Sequence, residues 1–237
     1  MQQMALNTNE KNSHVELTKF LEFCTVRKLT PKRAIIKPGD AADTLFYIIE
    51  GAVTVSMEND EGGDIILSYL NPGDFIGETG LFVKRENREV TVRTRSHCTI
   101  AHITYERLEE LSLNELKDDY ARIIYLLARY ISTRLLQANQ KVGHLAFMDA
   151  SGRIAQTLLE LCRQPDALTH PQGMQIKISR TELGRIVGCS REMVGRVLKI
   201  FERDKLISVA GKTIVVHGDR EELLSADSSE NFLKPAQ

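Results

Sequence analysis

Two short stretches of the chain carry side chains able to do chemistry. The first is "FIGETGLFVKRENREVTVR", residues 75–93. Gly77 lets backbone N–H groups approach a small anion, and Arg88 supplies a guanidinium that can fork onto phosphate oxygens. A short helix starting after Glu78 adds a favourable dipole. Glu89 is discordant, because an ionised carboxylate only accepts hydrogen bonds and would face a negative phosphate. At about 4 Å and an effective dielectric near 20, two like charges cost on the order of 4 kcal/mol, roughly a thousandfold in affinity. Strand alternation would ease the conflict by turning Arg88, Val90 and Val92 inward and Glu89, Thr91, Arg93 and Arg95 outward. A salt bridge from Arg88 to Glu86 or Glu89 is the competing, purely structural role.

The second stretch is "ISRTELGRIVGCSREMVGRVLKIFERDKLI", residues 178–207. Ser179 and Glu182 form an S-x-x-E capping box that opens a short helix. Gly188 suits a positive-φ turn, and Ser190 is placed to cap a second helix. Two helices joined by such a turn match a helix-turn-helix. Val194, Val197, Leu198 and Phe201 fall at i, i+3, i+4 and i+7 and must point at a core. That leaves Glu192, Arg196, Lys199 and Arg203 on the outer face, with Arg191 on the exposed first turn. Arginine suits guanine O6/N7 and glutamate accepts from cytosine N4, so Arg191, Glu192 and Arg196 are assigned to base edges. Arg180, Ser190, Lys199 and Lys212 are assigned to phosphates, which position without specifying. The competing reading is a solvated helix with Glu192 and Arg196 as an i, i+4 pair. Box, turn, second cap, apolar stripe and a following β-prone "LISVAGKTIVVHG" wing (206–218) together favour DNA binding.

The elements that must position these residues are also legible. Residues 20–110 alternate in short runs rich in Ile, Val, Thr, Phe and Tyr, broken at Pro38-Gly39-Asp40, Glu61-Gly62-Gly63 and Pro72-Gly73-Asp74. This predicts a small barrel or sandwich such as a jelly roll. From Leu116 to about Val142 the period becomes helical. One side of that helix would cover the β domain, and Ile124, Leu127, Ile131 and Leu135 would face a second subunit. "FMDASGR" (147–153) has the small and turn-forming residues of a hinge, and "PDALTHPQGMQ" (165–175) reads as a surface loop. The expected division is a flexible 1–19, a β domain over 20–115, a dimerisation helix over 116–146 and a hinge over 147–152. A winged helix-turn-helix over 153–220 and a flexible tail over 221–237 complete it. The fold class is α+β.

Composition narrows the function classes. The 237 residues are 42% hydrophobic and 27% charged with a formal charge of −1, so basic residues would have to be concentrated locally to hold nucleic acid. The start shows no signal-peptide pattern, and no stretch approaches the ~18 apolar residues of a membrane span, which predicts a cytoplasmic chain without a membrane partner. Cys24, Cys98, Cys162 and Cys189 lie far apart, without metal-type spacing, and read as reduced thiols. The six histidines, His14, His97, His102, His144, His170 and His217, are scattered, with no ligand cluster and nothing like a triad. No metal and no enzymatic activity are expected.

"VGCSREMVGRVLK" with "GKTIVV" resembles the DNA-binding domain of the cyclic-AMP receptor protein family of bacterial transcription factors. The resemblance runs from about Phe20 to Arg220 and includes "TLFYIIEGAVTV", "ILSYLNPGDFIGETGLF", "KVGHLAFMDASGRIAQTLLEL" and "QPDALTHPQGMQIKISR". It implies a cyclic-nucleotide jelly roll, a long dimerisation helix and a winged helix-turn-helix, working as a homodimer on palindromic DNA. It implies a nucleotide site at Gly77, Glu78, Arg88, Glu89, Ala138 and Asn139, and an RNA polymerase contact at Ala167, Leu168, Thr169 and His170. Cyclic-AMP responders carry Ser or Thr at the position of Glu89 and Thr-Ser at that of Ala138-Asn139. "REV" followed by "RTRSHC" also resembles a branch that binds DNA without ligand and is released by cyclic di-GMP. Three ligand readings therefore stand: cyclic AMP, cyclic di-GMP, or none, with cyclic AMP ahead because Gly77, Glu78 and Arg88 are present. A cyclic-nucleotide-binding module that acts on a protein partner is the alternative of another class, and Arg191, Glu192 and Arg196 argue against it.

Overall fold

The computed structural model describes residues 17–58 and 64–224, which fall into two compact units divided after Ala138. The Glu61-Gly62-Gly63 turn and most of the expected flexible ends lie outside the described residues. Of those ends, 17–19 belong to a helix over residues 17–22 (α1), and 221–224 belong to a helix, Arg220–Leu224.

The first unit is built from two four-stranded antiparallel sheets. Its strands are β1 (Thr25–Leu29), β2 (Ala34–Ile36), β3 (Thr44–Glu50), β4 (Val53–Glu58), β5 (Asp64–Leu70), β6 (Phe75–Ile76), β7 (Thr91–Thr94) and β8 (Cys98–Thr104). One sheet runs β1-β8-β3-β6 and the other β2-β7-β4-β5. The expected run over 88–104 is thus two strands in different sheets, because the chain turns at residues 95–97. The two Pro-Gly-Asp turns share one device: the Asp40 carboxylate accepts from the Lys37 N–H and that of Asp74 from the Asn71 N–H, each at 2.7 Å. Ile36, Ile48, Val53, Leu70, Val92 and Ile100 fill the space that the strands enclose.

Helix α2 (Thr79–Phe82) lies between β6 and β7, and helices α3 (Tyr105–Leu113) and α4 (Tyr120–Phe147) follow the strands. α3 falls where the alternating pattern had been extended to residue 110. Thr104 ends β8 and caps α3, its hydroxyl accepting from the Arg107 N–H. The long helix starts at Tyr120 rather than Leu116, since residues 114–119 form turns that bury Leu116. Phe20, Leu45, Phe75, Ile103, Leu108, Leu111, Ile123 and Leu127 make a second core under α4.

The second unit contains α5 (Ala150–Cys162), β9 (Leu168–His170), β10 (Gly173–Lys177), α6 (Arg180–Val187), α7 (Arg191–Arg203), β11 (Ile207–Ala210), β12 (Thr213–His217) and α8 (Arg220–Leu224). The sheet order is β11-β12-β10-β9. The segment over 165–175, expected to be a loop, contains a paired hairpin in which Met174 faces Thr169. Its Pro and Gly residues lie at the ends and turn of that hairpin, which is why composition alone suggests irregular structure. Asp149 caps α5 by accepting from the Gly152 N–H at 2.7 Å.

Candidate nucleotide pocket and DNA-reading helix

In the first unit, a cavity of ≈ 540 Å³ opens between the β2-β7-β4-β5 sheet, the turn around Gly77 and one face of α4. Gly77 sits at φ +87°, and a Cβ there would meet Arg88 Nη1 and the Thr44 carbonyl at 2.8 Å. Glycine is therefore required twice, by conformation and by the approach of the arginine. The Arg88 backbone is held by a paired bridge, its N–H donating to the Asp40 carbonyl at 2.8 Å and its carbonyl accepting from the Gly39 N–H at 2.9 Å. Its guanidinium donates to the Thr44 carbonyl at 2.5 Å and lies 5.9 Å from the Tyr105 ring centroid. The Tyr105 hydroxyl in turn donates to the Gly77 carbonyl at 2.5 Å.

Glu78 is buried, and Arg134 Nη1 lies 3.3 Å from its carboxylate. Arg134 also donates to the Ser68 hydroxyl at 3.0 Å and lies over the Tyr130 ring. Burial raises the Glu78 pKa above its ordinary 4.5, and the Arg134 charge opposes that shift without cancelling it. Glu89 takes a different partner from either one expected for Arg88. It accepts from Arg85 Nη1 at 2.6 Å, and both side chains are more than half exposed. Arg88 makes no ion pair with Glu86 or Glu89 among the described residues.

The alternation argument does not account for this arrangement. Arg88, Glu89 and Val90 precede β7, which starts at Thr91, and Thr91 itself is buried beside Val92. Outside a strand the two-residue period has no hold, so the orientation of Glu89 is fixed by Arg85 instead.

Ala138 lines the cavity as expected, whereas Asn139 is exposed and does not line it. The interface assignment on α4 needs correction. Leu127 is fully buried and Ile124 packs against the same core, so the first half of the proposed seam faces its own β domain. Ile131 and Leu135 line the cavity, although Leu135 remains 60% exposed. The apolar side chains of α4 that face solvent include Tyr125, Leu135, Leu136 and Val142. A wide apolar stripe shows that two faces of a helix are covered, but not which residues each face takes.

Sequence reasoning missed Arg134, Ser68, Tyr105, Thr44 and Arg85. Arg134 had a usable signal: it lies four residues before Ala138, on the same helix face as Ile131 and Ala138. Arg85 had one too, four residues before Glu89, whereas Thr44 and Ser68 on strands and Tyr105 at the start of α3 are distant in sequence and carried none.

In the second unit, the two helix caps form as the residue types predict. Ser179 Oγ accepts from the Glu182 N–H at 3.1 Å, and Ser190 Oγ from the Met193 N–H at 3.2 Å. Between them Gly188 adopts φ 69°, ψ 45°, the left-handed cap. Val194, Val197, Leu198 and Phe201 are buried, each contributing about 1.5–3 kcal/mol. Arg191, Glu192, Arg196 and Lys199 are exposed. Glu192 and Arg196 do not pair; Arg196 Nη2 instead lies 3.8 Å from Met193 Sδ. Arg180 is exposed at the start of α6, with its side chain beside Gly195. Lys212 projects from the β11–β12 turn, its carbonyl accepting from the Ile178 N–H at 2.8 Å. Leu168 and Thr169 are exposed, and Ala167 and His170 are half-buried.

Among the described residues, no three His, Cys, Asp or Glu side chains are grouped to hold a metal ion, and no helix is long and apolar enough to cross a membrane. Burial pushes the Cys24 and Cys162 thiols up to about 12, which suits packing rather than reactivity.

Comparison with known proteins finds matches to both units. A family model described as a cyclic nucleotide-binding domain matches residues 26–115, and a Crp-like helix-turn-helix domain matches 152–226. The chain is 49% identical to the cAMP-activated global transcriptional regulator Vfr of Pseudomonas aeruginosa, over 92% of this chain and 100% of that one. It is 50% identical to the cAMP-activated global transcriptional regulator CRP of Salmonella typhimurium, over 85% and 93%. Among solved structures, the c-di-GMP responsive global regulator CLP of Xanthomonas campestris superposes with a TM-score of 0.82 at 43% identity, covering 87% of this chain and 100% of that one.

Proposed function

The chain belongs to the cyclic-AMP receptor protein family of transcription regulators, and on that premise we propose a homodimer that reads palindromic DNA and changes its affinity when cyclic AMP occupies the β-domain cavity. The observation that carries the ligand reading is the charge balance of the cavity. Arg134 answers Glu78 and Arg85 answers Glu89, which leaves Arg88, among the described residues lining the cavity, as the arginine with no ion pair to a carboxylate. One unmatched guanidinium beside a glycine turn suits a single phosphodiester monoanion.

In this reading Arg88 and Gly77 hold the phosphate, Glu78 accepts from the ribose, and Ala138 borders the base. Arg191, Glu192 and Arg196 reach base edges, while Arg180, Ser190, Lys199 and Lys212 hold phosphates. The exposed Tyr125, Leu135 and Leu136 of α4 support the homodimer. The exposed Leu168-Thr169 hairpin supports an RNA polymerase contact. The segment over 147–152 serves as the hinge by which ligand re-aims the recognition helices. The protein is a cytoplasmic binding protein rather than an enzyme.

A second reading has its own support. Ala138 offers no hydrogen-bond donor to a base, and the CLP regulator is described as c-di-GMP responsive. In that reading the free protein binds DNA and cyclic di-GMP releases it.

The test is fluorescence anisotropy of a labelled palindromic operator at fixed salt, without nucleotide, with cyclic AMP, and with cyclic di-GMP. Tightening by cyclic AMP establishes the first reading. Tight binding alone, weakened by cyclic di-GMP, establishes the second. Affinity indifferent to both nucleotides ends the ligand switch and leaves DNA binding standing.

A further inference from the structure

We propose that Arg85 is a specificity-determining residue of the cavity: it neutralises the Glu89 carboxylate and so makes that side chain compatible with an anionic ligand. This inference rests on the reading of the cavity as a cyclic-nucleotide site.

Arg85, Arg88 and Glu89 line the same cavity, together with Glu78 and Arg134. Three arginines thus stand against two glutamates. Removing Arg85 leaves two against two, with a bare carboxylate one residue from the phosphate-seeking Arg88. The repulsion that Glu89 would exert on a phosphate then returns. Nothing in the core needs the pair. The Arg85 and Glu89 side chains are 52% and 66% exposed, and an ion pair so placed contributes little to folding. Their 2.6 Å contact acts on the potential inside the cavity, where a ligand phosphate would feel it.

Arg85 and Glu89 therefore act as a unit. Glu89 holds the Arg85 guanidinium at the cavity, so most of the effect of losing the arginine disappears once the carboxylate is gone.

The experiment measures binding of fluorescently labelled cyclic AMP by anisotropy to four full-length proteins: wild type, Arg85→Ala, Glu89→Gln, and the double variant. Arg85→Ala should weaken binding about tenfold, a loss that shrinks as salt rises. The double variant should bind within about threefold of Glu89→Gln, and Arg85→Lys should hold near wild-type affinity. Thermal midpoints should stay within about 2 °C across the set, which separates a charge effect from a folding defect. Wild-type affinity in Arg85→Ala overturns the inference alone, as does a double variant no tighter than Arg85→Ala. A wild type that takes up no cyclic AMP overturns the cyclic-AMP reading and this inference together.

Discussion

In the first unit the glutamates that line the cavity are each matched by an arginine, Glu78 by Arg134 and Glu89 by Arg85. In the second unit Arg191, Glu192, Arg196 and Lys199 stand along α7 with no ion pair among the described residues. The contrast follows from curvature. The turn around Gly77 buries Glu78 away from water, so an unmatched charge there would be costly, whereas the Arg85–Glu89 pair at the cavity mouth stays more than half exposed. The outer face of a helix stays hydrated, and a charge there costs little to leave alone. Unpaired side chains on α7 are free to meet base edges without first breaking a bond. Among the described residues Arg88 is the exception inside the cavity, which supports its proposed role as the ligand's anchor.

The strongest way to break this comparison is Arg88→Ala. Losing the one cation without an ion pair among the described residues of the cavity should lower cyclic-AMP affinity by about 2–4 kcal/mol, a hundredfold or so. Isothermal titration that finds less than about a fivefold loss would move the anchor elsewhere. Next comes Arg196→Ala, which should cost about 1–3 kcal/mol on the operator and relax specificity at one base pair. An equal loss on specific and random DNA would reassign Arg196 to phosphate. Ser190→Ala removes the cap of α7 and should lower stability by about 1 kcal/mol in urea unfolding, with Arg191, Glu192 and Arg196 left in place. Lys212→Ala should weaken binding to all sequences alike and reduce the salt slope by about one.

The smallest effect concerns pH and sharpens the cavity side. Burial lifts the Glu78 pKa above 4.5, so the folded state holds this proton more tightly than the unfolded chain. Its contribution to stability is full below pH 4.5 and is lost as pH rises through the raised folded value. Ligand affinity runs the other way, because the Arg134 pair and the sugar acceptor need the ionised form. A Glu78→Gln variant should lack the stability slope; an unchanged stability–pH profile would show that Glu78 titrates like a free carboxyl.

How much was legible in the chain differs between the same two regions. The caps at Ser179 and Ser190, the Gly188 turn and the apolar stripe of α7 are local rules acting within a few residues. They produced the observed geometry directly. The division of α4 between faces was not legible, since Ile124, Leu127, Ile131 and Leu135 satisfy one helical period whichever side the β domain takes. Burial of Leu127 was settled by Phe20, Leu45, Phe75 and Ile103, residues that only the folded β domain brings to it.

The sequence by itself determined the two architectures and the residue types proposed for both sites: Gly77 and Arg88 for a phosphate, Glu78 for a sugar hydroxyl, and Arg191, Glu192 and Arg196 for bases. Only the tertiary structure decided which charge answers which. Arg134 reaches Glu78 across 56 positions of chain, and Arg85 takes Glu89 in place of the neighbouring Arg88. Helix caps and periodicity are enforced by the backbone over a few residues. Charge pairing in a cavity depends on which distant segments converge there.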